Sequence, residues 1–328
     1  MTDITTTERR RFANISSRAW EHPADRAALL SLRRVPGFDL VLRKVFGLFS
    51  ERAFRLITQG SAVEVGPDQY PKIQALYEEV LAVLDAPIRY PLYVAQTPVV
   101  NAGAVGMDQP FIVLNSGAVA ILSDDQLRVV LAHEVAHIMS DHVLYKTLLR
   151  LLLKAGLGVM SIPLSGIPYV AVLVALMEWD RKSELSADRA ALLVAQDPEH
   201  IHQALLRLAG GVGDGASTAA FRRQAKAYHE SGGMLDSVIK VLAILGRRHP
   251  FPVQRLAEID RWVESGEYQR ILDGDYPKRQ DDPVDGAFAA WRESVSSYAE
   301  GWKASTDPFA EALKDLGERL SGMFRRKE

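Results

Sequence analysis

Cysteine is absent from the 328-residue sequence. That excludes disulfides and thiolate metal ligands, so any metal must be held by histidine and carboxylate. Neither sign of charge is in excess: 39 Lys and Arg stand against 41 Asp and Glu, a formal net charge of −2. That balance gives no electrostatic footprint for nucleic acid. Met1 to Arg11 has no apolar core or cleavage site of a secretory signal. A cytoplasmic location is expected, with the inner face of the cell membrane as the place of any peripheral contact. Internal repeats and low-complexity tracts are also missing. What remains is an ordinary globular composition, 48% hydrophobic and 24% charged, on a chain long enough to bury one full-sized core.

Against this background the run His133-Glu134-Val135-Ala136-His137 stands out. On a helix, positions four apart share a face, so both imidazoles can aim at one metal ion. Glu134 lies beside the first histidine, within reach of a water held there. Ser123-Asp124-Asp125-Gln126 reads as the start of that helix with a capping box. The spacing predicts a helix from Leu127, extended to about Val159. The plain alternative is a pair of ordinary buried histidines on a core helix.

A catalytic zinc site needs a third protein ligand and a free position for water. Glu184, in Ser183-Glu184-Leu185-Ser186-Ala187-Asp188, is the expected third ligand on a second helix. Asp188 shares that face and can accept the free ring N–H of a ligating histidine, which fixes its tautomer. Alone, such an acidic pair is more often an exposed helix surface. The cofactor expected is one Zn2+ per chain.

These residues carry a resemblance. H-E-V-A-H followed by S-E-L-S-A-D-R-A-A is similar to the zinc metallopeptidase family that includes HtpX and the CAAX prenyl proteases, of the gluzincin clan. Asn101-Ala102-Gly103-Ala104 before the strand-like Phe111 to Leu114 and Asn115-Ser116-Gly117 resembles the family's edge-strand region. His249-Pro250 with Arg255 resembles its C-terminal element. The resemblance implies His133, His137 and Glu184 as zinc ligands and Glu134 as general base. It implies that Asn101 and the segment through Ala104 bind substrate backbone. It also implies that His249 stabilises the oxyanion or the bound peptide, and that Arg255 supports the site. The membrane members carry hydrophobic spans before the catalytic helix, whereas residues 1–60 here are dotted with arginine.

The fold class expected is α+β and mainly helical: a zincin-like core, a small edge-exposed sheet, and a long helical hairpin between the two motifs. Residues 1–60 form an N-terminal helical region, 61–263 the metallopeptidase domain, and 264–328 a linker and amphipathic tail. Ala155 to Met177 carries no charge and could cross a bilayer once. His137 and Glu184 must meet, however, and the interval from Leu144 is too short for two crossings. A hairpin over 144–177, turning near Pro163 to Pro168, brings Glu184 back beside the histidines. Its apolar arms need cover. The N-terminal helices or a second copy in a homodimer come first, and one leaflet of a membrane second.

The expected function is hydrolysis of peptide bonds in extended or unfolded polypeptides, with a polypeptide substrate and no nucleic-acid partner. The alternative is a latent or non-catalytic metal-binding scaffold whose hairpin contacts a membrane or partner.

Overall fold

The computed structural model describes residues 9–48, 51–156, 169–213, 215–230 and 250–282. The expected hairpin turn, the helix expected over Met234 to Leu245, His249 and the tail from Ala287 lie outside the described residues.

The described residues are mainly helical around one small sheet. Three helices come first: α1 (Pro23–Arg33), α2 (Phe38–Leu48) and α3 (Glu51–Ser61). The stretch from Phe38 to Ile57, which reads as one helix, falls on α2 and α3, with residues 49–50 outside the described residues. Residues 1–20 read as a frayed or helical lead; the described part, 9–20, buries Phe12, Ile15 and Trp20 completely. The sheet contains β1 (Ala62–Glu64), β2 (Leu92–Ala95), β3 (Ala102–Val105) and β4 (Phe111–Asn115), in the order β1-β2-β4-β3. β2 and β4 are parallel; β1 and β3 flank them antiparallel. The segment expected as an edge strand is therefore at an edge. Helix α4 (Pro71–Val83) packs Ile73, Leu76, Tyr77 and Val80 into the main core, as its periodicity predicts.

After β4 comes a short helix, α5 (Ser116–Ile121). Here Gly117 is required. A Cβ at that position would lie 2.1 Å from the Pro98 carbonyl oxygen, so the β2–β3 connection can lie against the helix only if the side chain is missing. Gly117→Ala is expected to destabilise the fold by roughly 1–3 kcal/mol. A lower denaturant midpoint at unchanged m-value checks this.

The long helix expected from Leu127 is two helices, α6 (Asp124–Met139) and α7 (His142–Gly156). Its start carries the anticipated capping box. Ser123 Oγ accepts from Gln126 N–H, and Gln126 Oε1 accepts from Ser123 N–H at 3.1 Å. The break comes at Asp141, which takes a left-handed φ of 56°. Nothing in the apolar pattern marks it, because neither Gly nor Pro interrupts the run.

Helix α8 (Tyr169–Ala195) returns beside α7, and α6 packs most extensively against α8. A second core cluster joins Leu32, Phe38, Val41, Leu42, Val45 and Phe46 to the facing sides of α7 and α8. The N-terminal helices thus pack on one side of the described arms, while Val174 on α8 stays exposed. Among the described residues no helix is long and apolar enough to cross a membrane. Helices α9 (Pro198–Leu208), α10 (Thr218–Glu230) and α11 (Pro252–Glu264) close the lower side. Beyond Glu264 the structure has a further helix, α12 (Glu267–Leu272). Its continuation packs Tyr276 edge-on against Phe12 and pairs Lys278 with Ile15.

Candidate metal centre

Helix α6 is buried along nearly its whole length, so His133, Glu134 and His137 are fixed by packing on every side. Helix α8 crosses it with Asp180, Glu184 and Asp188 at four-residue spacing, a stripe down one face. The crossing brings two imidazoles and one carboxylate together. His133 Nε2 and His137 Nε2 are 3.1 Å apart. Glu184 Oε1 is 3.2 Å from His137 Nε2, and Glu184 Oε2 is 3.4 Å from His133 Nε2. Ligands about 2.0–2.1 Å from a tetrahedral ion are about 3.3 Å from one another, so the triangle fits a metal ion of zinc's size. Among the described residues this is the one cluster of His and acidic side chains that could hold a metal. It opens on a cleft of about 390 Å³, lined also by Val130, Ala102 and Pro250.

Asp188 and Arg255, both expected from the sequence, come together here. Asp188 Oδ1 accepts from His133 Nδ1 at 3.1 Å. Arg255, on α11, grips the same carboxylate with both arms: Nη2 donates to Oδ1 at 2.6 Å and Nε to Oδ2 at 2.7 Å. Its Nη1 lies 3.7 Å from Glu184 Oε2. Burial opposes ionisation of Asp188, but the Arg255 guanidinium outweighs it and holds the carboxyl below its ordinary value. Burial also disfavours a charged His133. Hydrogen bonds to Asp188 and Glu184 more than offset this and push it up to about 9. His137 goes the other way, well below the ordinary histidine value, through burial and the neighbouring Lys146 ammonium.

Glu134 faces the sheet. Its Oε2 accepts from the Ala104 N–H at 2.6 Å. In the register of β3 with β4, Asn101 and Gly103 pair inward, so the backbone groups of Ala102 and Ala104 point away from the sheet. The second outward group of Ala104, its carbonyl, accepts from Arg150 Nη1 at 2.6 Å. Gly103 lets that guanidinium lie close, since a Cβ there would meet Arg150 Nη2 at 2.9 Å. Ala102 is the remaining outward-facing position on this strand, and Asn101 beside it is exposed. His249 lies outside the described residues; its neighbour Pro250 lines the cleft.

Sequence reasoning missed four buried residues. Lys146 is a charge within a largely apolar stretch. Its Nζ in fact donates to Glu184 Oε1 at 2.7 Å and Asp180 Oδ1 at 2.5 Å. This contact engages the same Glu184 oxygen that lies 3.2 Å from His137 Nε2. His142 sits just past the break at Asp141, and its Nδ1 lies 3.0 Å from His137 Nδ1. Its other nitrogen is 3.1 Å from Asp25 Oδ2 on α1. Five-residue spacing after His137 was the available signal for His142; Asp25 had none.

A family model described as Peptidase family M48 matches residues 67–263. The chain belongs to peptidase family M48. It is 35% identical over 269 residues to the plastoglobule-localized metallopeptidase 48, chloroplastic, of Arabidopsis thaliana, covering 80% of this chain and 77% of that one. It is 25% identical to Protease HtpX homolog 2 of Methanosarcina mazei, over 47% of this chain and 60% of the relative. It is 26% identical to Protease HtpX homolog of Ralstonia pickettii, over 63% of this chain and 79% of the relative. No solved structure matches the chain. Every donor of the triangle lies inside the M48 segment, as do Asp188, Arg255, Lys146 and His142. Asp25 lies before it.

Proposed function

We propose that this M48 metallopeptidase is a zinc-dependent endopeptidase of the gluzincin type, acting on extended or unfolded polypeptides. The observation that carries the reading is the convergence of two histidine nitrogens 3.1 Å apart with the Glu184 carboxylate, one of whose oxygens lies 3.2 Å from His137 Nε2 and the other 3.4 Å from His133 Nε2, with Glu134 beside it. His133, His137 and Glu184 are the proposed ligands, and two imidazoles with one carboxylate are a donor set that suits zinc. Bound zinc supplies Lewis acidity, which makes a water nucleophilic near neutral pH and polarises a carbonyl.

The chain's own residues do the rest. Glu134 accepts the proton of the attacking water and hands it to the leaving amine. Its hydrogen bond from Ala104 holds the carboxylate at the mouth of the cleft, beside the strand where substrate lies. Asp188, gripped by Arg255, keeps His133 in the tautomer that presents Nε2. Lys146 fixes Glu184 through Oε1, the oxygen beside His137. Substrate adds to the open edge of β3, pairing its backbone with the outward groups of Ala102 while Asn101 holds the flanking peptide. Such pairing reads backbone rather than side chains, which favours flexible polypeptides. His249 is the proposed donor to the oxygen that becomes negative. On this reading residues 61–263 form the catalytic domain.

Metal analysis of the purified chain, joined to a cleavage assay on an unfolded protein, tests this. The parent should carry one zinc and cleave. Glu184→Ala and His137→Ala should lose the metal and all cleavage while keeping the helical circular-dichroism signal. A parent that neither retains added zinc nor cleaves once loaded would overturn the reading.

A further inference from the structure

We infer that Asp25, on the N-terminal helix α1, is a positioning residue for the metal centre and acts on His137 through His142. The inference rests on the metal reading above. The two proposed histidine ligands are backed differently. His133 Nδ1 meets a carboxylate directly, that of Asp188. His137 Nδ1 meets another imidazole, His142 Nδ1, at 3.0 Å. Two ring nitrogens at that distance need a single proton between them. If His137 Nε2 presents its lone pair to a metal, its Nδ1 must carry that proton and His142 Nδ1 must accept it. His142 then carries its own proton on Nε2, which points at Asp25 Oδ2 3.1 Å away. Every nitrogen has one role, and the chain ends on a carboxylate. No proton is gained or lost along it.

The end of the chain is built rather than incidental. Asp25, His142 and His137 are 2%, 5% and 1% exposed. Ser186, on α8 between Glu184 and Asp188, donates its hydroxyl to the same Asp25 oxygen at 2.6 Å. The Ser186 hydroxyl in turn accepts from the His22 N–H at 2.9 Å, which locks the start of α1 to the ligand-bearing helix. Trp179 lies edge-on to the His142 ring, with centroids 5.5 Å apart, and holds its plane. A buried carboxylate from outside the M48 segment thus completes for His137 what Asp188 does for His133.

Such outer contacts commonly set metal affinity, and losing one weakens binding about 10–100-fold. The test uses the full chain: parent, Asp25→Asn, Asp25→Ala, His142→Phe and the Asp25→Ala/His142→Phe double variant. Zinc dissociation constants are read by competition with a chromophoric chelator. Cobalt(II)-loaded chains give a visible spectrum that reports ligand geometry. Asp25→Ala and His142→Phe should each weaken zinc by about 10–100-fold and shift the cobalt bands. The double variant should be no weaker than either single one, because both cut the same chain. Asp25→Asn keeps the acceptor oxygen but not the charge and should fall between parent and Asp25→Ala. A merely structural role would lower the melting temperature while leaving zinc constant and spectrum at parent values. Should Asp25→Ala fail to fold, Asp25→Asn and His142→Phe decide. Folded Asp25→Asn and His142→Phe that bind zinc like the parent, with its cobalt spectrum, overturn the relay alone. A parent that takes up neither metal overturns the metal reading and the relay with it.

Discussion

Glu134→Gln should retain zinc and lose cleavage by a factor of about 10²–10⁴, the usual worth of a positioned general base. The substitution is informative because Glu134 has two jobs. Its carboxylate accepts the Ala104 N–H at 2.6 Å, which tethers the edge strand to α6. A glutamine oxygen can still accept that bond, so the strand should stay in place. What glutamine cannot do is take a proton from water near neutral pH. Glu134→Ala removes both functions. It should lose as much activity and, in addition, about 1–3 kcal/mol of stability from a buried N–H left without its acceptor. Zinc content, cleavage rate and urea midpoint of the two variants separate the tether from the chemistry. A Glu134→Gln chain that cleaved as fast as its parent would remove Glu134 as the base.

Arg255→Met should be the most destabilising single change at the centre. The guanidinium makes two short bonds to Asp188 and faces Glu184, and all three residues are buried. Removing one partner of such a pair leaves an uncompensated charge and costs about 3–5 kcal/mol. Zinc should also bind about 10–100-fold more weakly, since Asp188 no longer has a fixed orientation toward His133. Arg255→Lys should recover only part of either loss, because an ammonium cannot reproduce the two-armed grip.

The pH dependence has a definite sign. In the parent, burial would raise the Asp188 carboxyl, but Arg255 lowers it below its ordinary value. Its contribution is therefore present above the unfolded carboxylate value of about 3.9 and is lost as pH falls through the lower folded value. In Arg255→Met burial prevails, so acid should relieve the strain instead. The stability gap between parent and variant should narrow on acidification, as denaturant titrations at a series of pH values would show. A gap that stays constant or widens would mean that Asp188 is not the residue being held.

The parts of this centre legible in the sequence are those that depend on local geometry. Four-residue spacing put His133 and His137 on one helix face and Glu184 and Asp188 on another, and the structure brings the two faces together. That α8 lies beside α7 was readable because the two motifs had to converge within a limited length of chain. Arg255 and the Asn101 segment came through family resemblance rather than spacing; in the structure one lies on Asp188 and the other at the sheet edge. What escaped notice is tertiary. His142 reaches His137 because Asp141 takes a left-handed backbone, and no residue near it announces a break. Asp25 meets His142 through the docking of α1 on α8, which local periodicity does not encode. Lys146 and Arg150 looked like interruptions of an apolar arm. They are the charges that the arm turns inward, toward Glu184 and the Ala104 carbonyl.

The side chains that converge here are strung from position 25 to position 255. A nascent polypeptide emerging from the ribosome exposes its histidine pair long before Arg255 has been synthesised. Until then Asp188 lacks its cationic clamp. On the proposed chemistry, the centre is complete only once the chain has been made through position 255.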